Sequence, residues 1–182
     1  MMNRSHHHEA LRESATVEVG VFFPDFDDTV LDGTAMQMTD EELLEATLNS
    51  GLLHQIETSR AAGIPVVMVT RNDAAMLERI FRIRPEWRPL FDEVIPCPVQ
   101  EKSRKILEWL AEHDMDPARA IFADDRDSER RDVDDNVDGC LVFSPAEIAQ
   151  RTIRRATSTR RRARRVFANS EPLQPDQIPL AA

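Results

Sequence analysis

Short apolar runs alternate along the chain with segments of helical spacing, and turn-forming residues separate the two. Val17 to Phe23 is β-branched and aromatic and stops at Pro24, which predicts a buried strand. From Thr39 to Arg60, Leu43, Leu44, Leu48, Leu52 and Ile56 recur at helical spacing, after a capping signal at Thr39 to Glu42. Ile64 to Thr70 predicts a second buried strand, with Pro65 tolerable near its start. Asn72 or Asp73 caps a helix to about Arg82, and Asp92–Ile95 forms a short third strand. Lys102 to His113 is amphipathic, with Ile106, Leu107 and Leu110 on one face. Arg119–Ala123 and Cys140–Phe143 are the fourth and fifth strands. Ser144 to Glu147 reads as a capping box with proline at the first helical position, and the helix it opens runs on into an arginine cluster.

Strands alternating with helices of this length imply βαβ units. The predicted fold is therefore α/β, a three-layer Rossmann-like parallel sheet with helices on both faces and a basic C-terminal helix. The expected division is a flexible leader at 1–16, a catalytic core at 17–148, an arginine-rich helix at 149–168 and an unstructured tail at 169–182. The leader holds His6, His7 and His8, read as floppy rather than as a metal site, and the tail holds Pro172, Pro175 and Pro179.

Charge sharpens this picture. The net charge is -10, yet eight arginines and no acid lie between Arg151 and Arg165. The rest of the chain is therefore strongly acidic, which argues against a general nucleic-acid binder and suits a protein that gathers carboxylates round a metal ion. Lysine occurs only at 102 and 105. The two cysteines, Cys97 and Cys140, form no CxxC pattern and fit a reduced chain. No apolar run spans a bilayer and the polar N-terminus carries no secretory signal, so the expected location is cytoplasmic, with no membrane partner.

Ligands of such sheets bind beyond the carboxyl ends of the strands. Asp25 and Asp27, Thr70, Lys102, and Asp124 with Asp125 all fall at or just after strand ends, or at a helix start on the same edge. Two acids spaced i, i+2, here Asp25 and Asp27, can serve phosphoryl transfer, one attacking phosphorus while the other protonates the leaving group and later activates water. Clustered acids repel phosphate unless a divalent cation bridges them, and magnesium, a hard ion, suits carboxylates and phosphate oxygens. The metal candidates are Asp25, Asp27, Asp124 and Asp125. The phosphate-binding candidates are Thr70, Arg71 and Lys102.

These residues resemble the haloacid dehalogenase (HAD) superfamily of aspartate-nucleophile phosphatases. The DxDx[T/V] motif is matched by Asp25-Phe-Asp27-Asp-Thr29, and the strand ending in Thr or Ser by Thr70. The lysine at a helix start is matched by Lys102, and the strand ending in paired acids by Asp124-Asp125. All four occur in order across residues 17–143. Thr70-Arg-Asn-Asp73 and Asp124 to Arg130 are similar to motifs of the capless branch that includes FkbH-like (subfamily IIIC) domains and small magnesium-dependent phosphatases. About 40 residues separate the first two motifs, too few for a cap domain. The resemblance implies a magnesium-dependent phosphohydrolase with an aspartyl-phosphate on Asp25, acting on a phosphorylated substrate, macromolecular substrates included because the site is open. The alternative is a non-catalytic or phosphoacceptor binding module whose Arg-rich helix, residues 151–165, engages nucleic acid or an acidic protein.

Overall fold

A computed structural model describes residues 15–156. Its strands are β1 (Thr16–Val19), β2 (Val21–Pro24), β3 (Val67–Thr70), β4 (Glu93–Pro96), β5 (Ala120–Ala123), β6 (Leu141–Phe143) and β7 (Thr152–Arg155). Its helices are α1 (Asp40–Glu45), α2 (Ser50–Ala61), α3 (Ala74–Ile83), α4 (Lys102–Glu112), α5 (Asp127–Asn136) and α6 (Pro145–Ile148). Strand β2 pairs parallel with β5, β5 with β6, and β3 with β4. Phe22 bridges in parallel to Val66, just before β3, and its N–H donates to Pro65 O at 2.9 Å. The result is a parallel layer in the order β4-β3-β2-β5-β6, with β2 at the centre, where the order reverses and a crevice opens at the carboxyl edge.

Alternation along the strands builds two cores. Phe22, Met68 and Ile121 point to one face, where Leu52 and Ile56 of α2 and Leu77 and Ile80 of α3 cover them. Val21, Phe23, Val67, Val69 and Phe122 point to the other, under Ile106, Trp109 and Leu110 of α4 and Val133 of α5. Strands buried on both faces read as continuous apolar runs, which is why this sheet was legible in the sequence. Each fully buried phenylalanine contributes about 2–3 kcal/mol.

Several boundaries differ from the sequence reading. The expected first strand is two, because at Gly20 the chain changes partners: β1 pairs with β7, whereas β2 pairs with β5. Thr16, assigned to the leader, opens β1. The helix expected from Thr39 to Arg60 is broken into α1 and α2. Leu48 bridges to Leu31, Thr47 Oγ1 donates to Asp32, and Asn49 caps α2 through Gly51 and Leu52 N–H groups. The capping box at Ser144 and Glu147 is present, but α6 ends at Ile148. Thr152–Arg155, expected inside an arginine-rich helix, is a strand: pairing with β1 and burial of Ile153 outweigh the local helical pattern. Helix α5, in a stretch to which the sequence reading assigned no element, carries Val133 into the core. The histidine triplet, the rest of the expected leader, the remainder of the arginine cluster and the proline-containing tail lie outside the described residues.

Candidate active site

The site lies at the carboxyl edge of β2, β3 and β5. Strand β2 ends at Pro24, and Asp25 N–H continues the ladder to Ala123 O at 2.8 Å. The chain then turns tightly, with Thr29, Val30 and Leu31 N–H groups all directed to Phe26 O. Asp28 takes the left-handed conformation (φ 52°), which aspartate tolerates, and its N–H donates to Gly33 O. Phe26 and Val30 are buried, so this turn is anchored and fixes the directions of Asp25 and Asp27.

Lys102, at the first turn of α4, is buried with its ammonium between two carboxylates. Nζ donates to Asp25 Oδ1 at 2.5 Å and to Asp124 Oδ2 at 2.6 Å. Asp25, Asp124 and Asp125 each offer an oxygen within 4.8 Å of the others. Thr29 ties this cluster together: its hydroxyl lies 3.4 Å from Asp125 Oδ1 and 3.5 Å from Asp25 Oδ2, and it accepts from Asp125 N–H at 3.0 Å. Arg126 N–H donates to the remaining Asp124 oxygen at 2.9 Å.

Asp27 is held separately. Its Oδ1 accepts from Ala35 N–H and its Oδ2 from Asn72 Nδ2, both at 2.7 Å. The same amide donates to Thr70 Oγ1 at 3.1 Å, so Thr70, Asn72 and Asp27 form one chain of contacts. The sequence reading counted Asp27 among the metal-ligating carboxylates. Each of its oxygens accepts one of these donors, and the three-acid cluster does not include it.

Electrostatics follow from burial. Desolvation pushes the Asp25 carboxyl up to about 7 against the opposing pull of Lys102, with Asp124 adding to the rise. Burial also raises Asp124 and Asp27. Burial by itself would lower the Lys102 ammonium, but Asp25 and Asp124 outweigh it and the net displacement is upward. One ammonium is set against a cluster of three carboxylates, which leaves the site short of positive charge. A set of three hard carboxylate donors, brought together by Thr29, fits a magnesium ion.

Arg71, expected among the phosphate-binding residues, is held by protein partners. Its guanidinium grips Glu129 through Nε and Nη2, both at 2.9 Å, and Nη1 donates to Gln100 O at 2.6 Å and Cys97 O at 3.3 Å. Arg71 therefore ties the end of β3 to α5 and to the loop leading into Lys102. Sequence reasoning also missed Asn72 and Thr29 as site residues, although both stand inside the motifs that identified their neighbours. Asp132 was missed as well; it caps α4 through Ser103 N–H and Oγ at 3.0 and 2.8 Å.

No protein-family model matches the chain, and no curated protein matches it in sequence. Solved structures do match. The N-terminal part of a Bacteroides fragilis protein, containing a phosphatase domain and complexed with Mg, is 15% identical with a TM-score of 0.59. That match covers 76% of this chain and 39% of the other, so this chain spans well under half of its relative. A HAD-superfamily hydrolase from Ehrlichia chaffeensis is 13% identical at TM-score 0.55, over 70% and 87% of the two chains. D,D-heptose 1.7-bisphosphate phosphatase from B. bronchiseptica, complexed with magnesium and phosphate, is 16% identical at TM-score 0.53, over 72% and 97%. Among the described residues no cap domain interrupts the sheet, and no helix is long and apolar enough to cross a membrane. The chain has the fold of the haloacid dehalogenase-like hydrolases.

Proposed function

We propose that this chain is a magnesium-dependent phosphohydrolase that works through an aspartyl-phosphate on Asp25. The observation that carries the reading is the meeting of Asp25, Lys102, Asp124 and Asp125 at the end of the central strand, from three separate parts of the chain. Solved neighbours of the same fold that hold magnesium support it.

In the first step an Asp25 carboxylate oxygen attacks phosphorus and the ester P–O bond breaks. The leaving oxygen takes a proton from Asp27, whose carboxyl is raised above its ordinary value by burial. In the second, Asp27 accepts a proton from water, the water oxygen attacks phosphorus, and the P–O bond to Asp25 breaks. Inorganic phosphate leaves and both carboxyls return to their starting state. Lys102 supplies fixed positive charge, and Thr70 a hydroxyl, for the transferring group. Asp25, Asp124 and Asp125 would hold magnesium, which when bound neutralises charge on the phosphoryl oxygens. Asn72 and Ala35 N–H keep Asp27 at a fixed distance from Asp25.

Turnover of an aryl phosphate by wild type, Asp25→Asn and Asp27→Asn, with magnesium and with chelator, tests this. Turnover should need the metal and vanish in Asp25→Asn. Undiminished activity in that variant rejects the mechanism.

A further inference from the structure

Beside the carboxylate assigned to the leaving group lies a cavity of about 480 Å³. Asn72, which holds Asp27, forms part of its wall. The oxygen that Asp27 would protonate carries the alcohol half of the ester, so the alcohol has to lie next to Asp27. The cavity adjoins that position through Asn72, whose amide lies 2.7 Å from Asp27 Oδ2, and has the size of ordinary small-molecule sites, roughly 300–1,000 Å³.

Its apolar wall is built by Met36, Ala75, Met76 and Pro98. Met36 is 71% exposed and Val99, next to Pro98, is 89% exposed, so unpartnered apolar surface continues on the rim. Methionine is flexible and polarizable, and it shapes itself to flat or irregular apolar groups.

The charged groups on the wall do not offer an anion a place. Arg71 spends its donors on Glu129 and two carbonyls. Arg79 spends its own on Asp40 at 2.8 Å, on Ala35 O at 3.2 Å and on Met38 O at 2.8 Å. That arginine thereby clamps the segment bearing Met36 against α3, so the apolar wall is held in place. The remaining charge is Asp73, which caps α3 through Met76 N–H and repels anions.

Resting on the phosphohydrolase reading, we propose that this cavity seats the alcohol of the substrate and selects a neutral, apolar one over a second phosphate or a polyhydroxy group. The substrate class is a phosphate monoester of an apolar alcohol.

Benzyl phosphate and glycerol phosphate give alcohols of comparable acidity, so their comparison isolates binding from leaving-group chemistry. The full chain with magnesium should turn over both, with a KM for benzyl phosphate about tenfold lower or more, the effect expected of a matched apolar pocket. Met36→Glu should shrink that ratio by a similar factor, mainly through KM. Ala75→Glu, another exposed position on the same wall, should do the same. Circular dichroism and melting checks confirm that both variants fold. Equal KM values, a preference for glycerol phosphate or a bisphosphate, or a benzyl preference untouched by both variants would overturn the assignment while leaving hydrolysis intact. No turnover of either ester would instead reject the hydrolase reading on which it rests.

Discussion

Replacing Asp25 by asparagine should abolish turnover and, without metal, make the protein more stable at alkaline pH. The Asp25 carboxyl titrates near 3.8 when exposed and at about 7 in the fold, chiefly because burial disfavours its charge. A carboxyl whose folded pKa is raised binds its proton more tightly in the folded state. Its stabilising contribution is therefore present in full below about pH 4 and is lost as pH rises through 7. The displacement corresponds to about 4 kcal/mol between those limits. Asparagine keeps the shape, carries no charge, and its amide oxygen can still accept from Lys102. In chelator at pH 8 the variant should therefore melt above wild type, with an upper limit on the order of 10 °C. At pH 4 the two should coincide. Magnesium should raise the wild-type midpoint more than that of the variant, since binding to the folded state stabilises by mass action. Thermal denaturation at pH 4 and pH 8, with chelator and with magnesium, reads all of this. A variant less stable than wild type in chelator at pH 8 would refute the argument that burial of this charge strains the fold.

Cys97 has its thiol pushed up to about 11 by burial, and Cys140 is buried too; neither should be alkylated at pH 8 in the native state, and both should react in denaturant. Arg71→Ala leaves Glu129 buried without its partner and releases the loop before Lys102, so urea denaturation should show a loss of about 2–3 kcal/mol, with a smaller loss for Glu129→Gln. Ile153→Ala should cost about 2–4 kcal/mol because β7 carries this side chain into the core, whereas Leu44→Ala, on a residue 61% exposed, should stay within about 0.5 kcal/mol. Equal effects at positions 153 and 44 would contradict the placement of β7.

The central sheet was legible because its strands are buried on both faces and read as apolar runs broken by Pro24, Gly63 and Gly139. The acids and Lys102 were legible because strand ends of a parallel sheet share one edge, so separate segments had to meet there. Other features were set by contacts far along the chain. Nothing local in Thr152–Arg155 announces a strand; the partner is β1, more than a hundred residues earlier. Helix α5 was hidden because its strongly acidic sequence shows only Val133 to the core. The pairing of Arg71, named with Thr70 and Lys102 as a phosphate ligand, with Glu129 was not legible, because only the fold brings the two together. Asp27 likewise sits two positions from Asp25, yet the turn after β2 gives it to Ala35 and Asn72 instead of to the acid cluster.

The proposed mechanism requires a direct bond between Asp25 and phosphorus. A nitrophenyl phosphate releases its alcohol without needing a proton, so Asp27→Asn should be able to carry out the first step and stall at the second. Acid quenching of that variant with substrate and magnesium, followed by peptide mass analysis, should show one burst equivalent of nitrophenol and one phosphoryl group on the peptide containing Asp25. A phosphoryl group on a different residue, or a burst with Asp25 unmodified, would contradict it.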